Sequence, residues 1–553
     1  MEEKYRTTEE KPTAVEKTYS KDLDSFFEIK MDSDPSRRDF LKLMGYSFAV
    51  GSMAACSAPP RKVIPYLIKP EEITPGVANW YASTCAGCSA GCGVLVKSRD
   101  GRPIKIEGNR EHPLSKGGVC AVGQATVLSL YDPDRLKGPV LMGKEVSWEI
   151  LDERMTKELK RIKSEGKKIA IISSTIISPT TRELIKRFLE TWPGEHVVYD
   201  PISVSAIRKA HGVTHGVQVL PNYHLDRAEV IVNFGADFLG SWISPVSFTK
   251  QYSSRRKLNQ KPVSRHIQFE SQMTVTGSNA DLRISIEAGD EGLILLWVLK
   301  GVLRYVGQKT EALSSIQDQL SKLPAPAVSQ ETIQNISDEL WRARGNAVVL
   351  CGSNNSHQLI VNFINHLIGA YQTIIDIENP SYQRQGDEKE LDTLIQKMKK
   401  GGIEGVIVYG VNPVYSYPDQ ESFLEALEKV PFKISFSPYL DETSERLDAI
   451  CPDNHYLESW NDAEPVRGIY SLSQPVITPL FKTRSAQESL LRWMGKTPDY
   501  YEYLKEYWKK NLFTKQSKFV SFQSFWDQAV HDGVFGQLKK VHISRPFNDE
   551  AVA

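Results

Sequence analysis

The stretch CAGCSAGCG, from Cys85 to Gly93, puts three cysteines on one loop of small residues, and a fourth, Cys120, follows downstream. Thiolates gathered at one point repel one another, so a cationic centre belongs among them. Three ligands from one loop and one from a distance is the pattern of an iron–sulfur cluster, whereas zinc is more often held by two separated CxxC knuckles. The small residues Ala86, Gly87, Ser89, Ala90 and Gly91 let the loop wrap closely and aim backbone N–H groups at sulfides. The spacing therefore favours a [4Fe-4S] cluster on Cys85, Cys88, Cys92 and Cys120. An empty site, zinc and disulfides stay open, disulfides because an exported chain meets an oxidising compartment. Cys351 and Cys451 lie far apart beside apolar or proline-containing stretches and read as buried thiols.

The elements that must gather these thiols can be read in the gap. Val94 to Lys97 and Pro103 to Ile106 alternate apolar with other residues around Asp100-Gly101, a dipeptide suited to a tight hairpin turn. A hairpin returns the chain to its start, and the loop GNREHPLSKGGVC then delivers Cys120 beside the first three sulfurs. Further on, short apolar runs such as KIAIISS, EVIVNFGA, NAVVLCG and GVIVYGVNP each precede a polar turn and a helical pattern. That is βα repetition, which predicts parallel sheets with helices on both faces. Ligands of such sheets sit at the carboxyl ends of strands, where Gly235, Gly352, Gly410 and Asn412 fall.

A chain of 553 residues is too long for one core, so two or three packed regions are expected. Its 68 basic and 68 acidic residues balance, with no basic block, which gives no electrostatic reason to expect nucleic acid as a partner. Residues 1–35 are dominated by Glu, Lys, Thr, Asp and Ser and read as a solvated tail. SRRDFLK, with Arg37 and Arg38, then has the form of a twin-arginine export signal. The apolar run to Ala55 is interrupted by Gly45, Ser47, Gly51 and Ser52 and is short for a membrane span. It ends at MAAC, where Cys56 stands like the acceptor of a lipoprotein signal, predicting a product tethered at the periplasmic face of the inner membrane. One lipid anchor gives modest attachment, so an embedded partner is implied.

The run from Tyr81 to Leu136, with CxxCxxxCG, GRPIKIEGN, HPLSKGGVC and YDPDRL, resembles the N-terminal iron–sulfur domain of the molybdopterin oxidoreductase superfamily. Weaker similarity continues through IVNFGADF, VIVYGVNPVYSYPD and LDETSERLDAICPDNHYLESW, to about residue 495. The resemblance implies an α/β fold: a small β-rich iron–sulfur-type domain (79–137) followed by two interleaved Rossmann-like parallel-sheet domains. The first of these is discontinuous (138–200 and 346–500) and the second spans 201–345. Around them lie the tail (1–35), the signal (36–56), a linker (57–78) and a C-terminal extension (501–553).

Three departures from the superfamily's enzymes bear on molybdenum. Val122 stands where Lys or Arg is usual, two residues after the fourth cysteine. No residue near VVYDPISVSAIR stands out as a metal ligand among the candidates Asp200, Ser203 and Ser205. The chain also ends at Ala553, leaving no room for the family's C-terminal β-barrel domain, so molybdopterin guanine dinucleotide is not expected. The tail, the export signal, Cys56 and the cysteine loop together look like the molybdopterin-oxidoreductase-like part of the B subunit of alternative complex III. That resemblance implies a mainly scaffolding subunit of a quinol-oxidising respiratory complex, without an active site of its own. Its implied partners are a ferredoxin-like iron–sulfur subunit, a quinol-binding integral membrane subunit and a multihaem cytochrome c. The chain has no CxxCH haem signature. The competing expectation is the catalytic subunit of an active molybdenum bis-pterin reductase of the polysulfide or thiosulfate type, completed by a partner chain.

Overall fold

The computed structural model describes residues 74, 76–257, 262–307, 311–352, 355–537 and 545–548. The chain divides into two units, Met1–Ile73 and Thr74–Ala553, and every described residue falls in the second. Arg37, Arg38 and Cys56 lie outside the described residues.

Strands β1 (Ala78–Thr84), β2 (Gly93–Arg99) and β3 (Arg102–Gly108) form an antiparallel sheet in that order. Asp100 and Gly101, with φ of 51° and 75°, both take the left-handed backbone that a two-residue hairpin turn needs. The inward residues Val94, Val96 and Ile106 are fully buried. They pack with Val127 and Leu130, at the end of helix α1 (Ala121–Ser129), and with Leu457. Cys85 belongs to this small core, so the cysteine loop is anchored at its first ligand.

The βα repetition resolves into two parallel sheets. The larger has seven strands in the order Lys144–Glu145, Val140–Leu141, Ala449–Ile450, Phe432–Ser435, Gly405–Tyr409, Ile169–Ser173, Gly194–Val198. All its neighbours are parallel except the two short strands at its first edge. Along Ile169–Ser173, Ile169 and Ile171 enter one core and Ala170 and Ile172 the other, as expected of a strand covered on both faces. The smaller sheet is parallel throughout, in the order Leu282–Ser285, Arg265–Glu270, Val230–Phe234, Ala347–Cys351.

Here the sequence-based boundary needs correction. Ala347–Cys351, assigned with residues 346–500 to the first α/β region, pairs with Val230–Phe234 in the smaller sheet. A strand apolar at every position shows only that both its faces are covered, and its pattern does not name its neighbour. A fourth sheet was not anticipated. Val534–Gly536, Ile469–Ser473, Asn461–Val466, Ile375–Ser381 and Leu220–Tyr223 form a five-stranded sheet with antiparallel neighbours. Its strands NDAEPV and IYSLS carry too many polar residues to advertise burial. Helices α2 (Tyr500–Asn511) and α3 (Phe522–Asp532) close over it, burying Leu504, Trp508, Phe525 and Trp526 around Leu472. Among the described residues no helix is long and apolar enough to cross a membrane.

Candidate functional site

β1 stops at Thr84 because the chain turns away at Cys85, whose N–H donates to the Cys92 carbonyl at 2.9 Å and closes the loop. Gly91 takes φ 61° with Ile177 Cδ1 only 2.7 Å from where a Cβ would stand, so glycine alone fits. At the other end, Cys120 is the N-cap of α1, its Sγ accepting from Gly123 N at 3.4 Å. Cys85 Sγ likewise accepts from Gly87 N at 3.4 Å. A Cβ on Gly123 would stand 3.6 Å from Cys85 Sγ and 3.8 Å from Cys120 Sγ, so the first and fourth thiols face one point. Burial pushes the Cys85 thiol up to about 11 against the lowering effect of the Gly87 N–H, and the charges of Cys88 and Cys120 add to the rise. Cys92 is pushed up further by burial and then by Cys85, Cys88 and Cys120. Burial first, and the neighbouring thiols second, make both resist ionisation.

All four predicted ligands are therefore brought together, and none is in a disulfide. Among the described residues no three His, Cys, Asp or Glu groups are close enough to share one metal ion. A cubane spaces its ligands more widely, with a separate iron on each sulfur. The donor set, the two N–H···S contacts and the glycine-lined space at Gly87 and Gly123 fit such a cluster.

A cavity of about 580 Å³ opens beside this loop, at the carboxyl ends of the strands finishing at Ser173, Val198, Tyr409 and Ser435. Gly410 lines it, with φ 63°. Gly235 and Gly352 do not; they lie on the smaller sheet, where a Cβ on Gly352 would come 2.8 Å from the Gly235 carbonyl, and serve close packing. Asn412 is held by Glu442 at 2.7 Å and Thr443 at 2.6 Å.

The three candidate metal ligands are each engaged elsewhere. Asp200 accepts from Thr175 N (3.0 Å), Thr175 Oγ1 (2.5 Å), Gln385 N (3.2 Å) and Gly386 N (2.9 Å). Ser203 and Ser205 each donate to Glu388 at 2.7 Å. Apart from Thr175, their partners lie between 183 and 186 positions along the chain, beyond the reach of any local pattern.

Three aspartates and two arginines line the cavity. Burial raises Asp453 to about 7, against the opposing N–H groups of Ala486 and Asn454, and raises Asp462 despite bonds from Ser178 and Thr180 at 2.5 Å and Trp508 at 2.9 Å. Of the two arginines on the wall, Arg384 has no carboxylate partner among the described residues. Arg135 is committed: its guanidinium grips Glu458 through bonds of 2.6 and 3.2 Å, with side-chain exposures of 1% and 0%. Glu458 also accepts from His455 N (2.8 Å) and Leu480 N (3.0 Å), which fixes the segment carrying His455 and Tyr456 against the cysteine site. Thr126 Oγ1 donates to Gly123 O, so Tyr456 OH donates to Thr126 at 2.8 Å, while His455 Nε2 meets Ser129 at 3.1 Å. Nothing in the local pattern of this segment marks His455 or Tyr456 for that position. Val122, 61% exposed, places its methyl 3.5 Å from the Cβ position of Gly87, so the apolar replacement does sit against the loop.

The sequence profile of the Molybdopterin oxidoreductase Fe4S4 domain matches residues 78–132, from β1 to just beyond α1. The chain is also 27% identical over 462 residues to the menaquinone reductase molybdopterin-binding-like subunit of Nitratidesulfovibrio vulgaris, covering 76% of this chain and 65% of that protein. These matches support membership of the molybdopterin oxidoreductase superfamily. Another relative is a nitrate reductase of Shewanella frigidimarina, 22% identical over 456 residues, covering 68% of this chain and 48% of the other. Acetylene hydratase from Pelobacter acetylenicus shares the fold, with a TM-score of 0.60 at 13% identity over 75% of this chain and 69% of that one. The chain thus spans between about half and two thirds of the length of these curated relatives.

Proposed function

We propose that the chain is an electron-transfer subunit of a membrane-associated, quinol-oxidising respiratory complex of the alternative complex III type, with a [4Fe-4S] cluster on Cys85, Cys88, Cys92 and Cys120. The observation that carries this reading is the intact four-thiol site, cradled by backbone N–H groups. When bound, the cluster supplies one-electron transfer. The chain's own residues space the thiols, shield Cys85 and Cys92 from water, and brace the loop with Tyr456 and His455. The match to an Fe4S4 domain supports the cluster, and the similarity to a subunit named for a menaquinone reductase supports a respiratory, quinone-linked redox subunit.

This reading leaves the cavity without a pair of anionic pterin dinucleotides: of its two arginines Arg135 is spent on Glu458, leaving Arg384, and the candidate metal ligands Asp200, Ser203 and Ser205 already have partners. The subunit in this reading is a scaffold that organises a ferredoxin-like cluster protein, a quinol-binding membrane subunit and a multihaem cytochrome c. It reaches the periplasmic face by the twin-arginine signal at Arg37 and Arg38 and is tethered there through Cys56.

Metal analysis of anaerobically purified protein tests this. About four iron and four sulfide per chain, with molybdenum below about a tenth of an equivalent, is the expected result. Molybdenum near one equivalent would overturn it in favour of an active molybdenum reductase. Cys88→Ser should abolish the cluster's electron paramagnetic resonance signal, and an unchanged spectrum would show that the loop holds no redox centre. Exchange of Arg37 and Arg38 for Lys should keep the product in the cytoplasm, and undiminished export would refute the signal.

A further inference from the structure

A second cavity, of about 370 Å³, lies away from the cysteine loop at the outer edge of β1, walled by Trp80, Trp460, Tyr501 and Trp526. The last three rings form one body: Trp460 and Tyr501 have centroids 4.7 Å apart, Trp460 and Trp526 6.1 Å, and Tyr501 and Trp526 5.9 Å. Trp80 adds a ring that is 47% exposed. Trp526 is only 2% exposed, and its indole N–H has no acceptor among the described residues.

The backbone beside this wall is equally informative. The bond from Cys85 N to Cys92 O fixes the phase of the β1–β2 ladder, so odd-numbered residues of β1 face β2 and the even-numbered ones face away. At the far end of that outer edge the carbonyls are already taken: Thr84 O accepts from Ser473 Oγ at 3.3 Å and Ala82 O from Gln474 Nε2 at 2.8 Å. The N–H and C=O of Trp80 and Ala78 have no partner among the described residues. An open strand edge therefore runs directly into an aromatic cavity.

We propose that this is a docking site for an extended segment of a partner polypeptide. The segment adds beside Ala78 and Trp80 and seats a proline or aliphatic side chain on Trp460, Tyr501 and Trp526. Donors and acceptors at strand spacing read a main chain, which a sugar or lipid does not present, and the ring faces supply the side-chain pocket that gives such pairing its specificity. The Trp526 N–H is placed to donate to a carbonyl of the incoming segment.

The test uses the full chain, panned against a display library of random dodecapeptides, with an enriched peptide resynthesised carrying fluorescein and titrated by anisotropy. Enriched peptides should carry proline or aliphatic residues. Trp460→Ala and Trp526→Phe should each weaken binding about tenfold or more. Trp80→Pro should weaken it beyond Trp80→Ala, because only proline removes the outward N–H while leaving the β2 ladder intact. Hydrogen exchange at the Trp80 amide should slow on binding. Trp460→Phe serves as the variant that preserves packing and should bind between wild type and Trp460→Ala. Failure to enrich any peptide overturns the proposal, as does binding indifferent to Trp460→Ala and equal for the two Trp80 variants. Self-association lost in Trp460→Ala would assign the site to a second copy of this chain and overturn it too.

Discussion

Replacing Arg135 with Met tests how the cysteine site is held. The guanidinium is fully enclosed, makes two bonds to Glu458 and a third to the Leu130 carbonyl at 2.8 Å, and lies 5.2 Å from the Phe481 ring centroid. Removing one member of a buried pair leaves the other charge without compensation, which costs about 3–5 kcal/mol. Glu458 keeps the N–H groups of His455 and Leu480, so the lower end, about 3 kcal/mol, is expected for Arg135→Met at pH 7. Adding Glu458→Gln removes the stranded charge but keeps an acceptor for both N–H groups, and the double variant should recover about 1–2 kcal/mol. The sign of the pH dependence follows from the same geometry. Burial alone would raise Glu458, but Arg135 and the two N–H groups hold it below its ordinary range, so its contribution is present at neutral pH and lost as pH falls through that depressed value. In the single variant burial raises Glu458, which protonates earlier, so the gap from wild type should close on acidification. Urea unfolding followed by circular dichroism at pH 7 and pH 4.5 measures both effects. A deficit below about 1 kcal/mol at pH 7, or one unchanged at pH 4.5, would refute this account of the pair.

Other consequences are equally direct. A Cβ on Gly93 would fall 2.6 Å from the buried His112 ring, so Gly93→Ala should cost about 1–3 kcal/mol and lower iron content by displacing Cys92, readable by thermal melting and iron assay. Asp453, raised by burial from 3.8 to about 7, favours the folded state less as pH climbs through that value, by up to about 4 kcal/mol. Asp453→Asn should therefore stabilise at pH 8 and make little difference at pH 4, checked by denaturant midpoints at the two values. Burial lowers His455 to about 4, so it is neutral at pH 7, and His455→Gln should leave the charge of the cavity wall, read as mobility in native electrophoresis, unchanged.

What the sequence disclosed was local. The Asp100-Gly101 turn, the alternation of β2 and the cysteine spacing each depend on neighbours a few residues away, and they predicted the hairpin and the convergence of the four thiols. Sheet membership of Ala347–Cys351 escaped because buried strands look alike, and the five-stranded sheet because its strands hide polar side chains in paired bonds such as Ser178 with Asp462. The same applies to the site: Asp200, Ser203 and Ser205 are indistinguishable as candidates in the sequence, and only the fold sets Thr175 and Glu388 beside them. The aromatic wall at Trp460, Tyr501 and Trp526 came from residues with no shared periodicity.

The small core under the cysteine loop has a consequence for how the protein is made. Leu457 closes it and Tyr456 braces it, although both follow the fourth cysteine by more than three hundred residues. A ribosome has therefore added more than three hundred further residues before the thiol cradle can settle, and metal insertion waits for them rather than accompanying the emerging cysteine loop. An excised hairpin would lack its floor, so the cysteine motif is not a portable cassette for grafting onto other scaffolds.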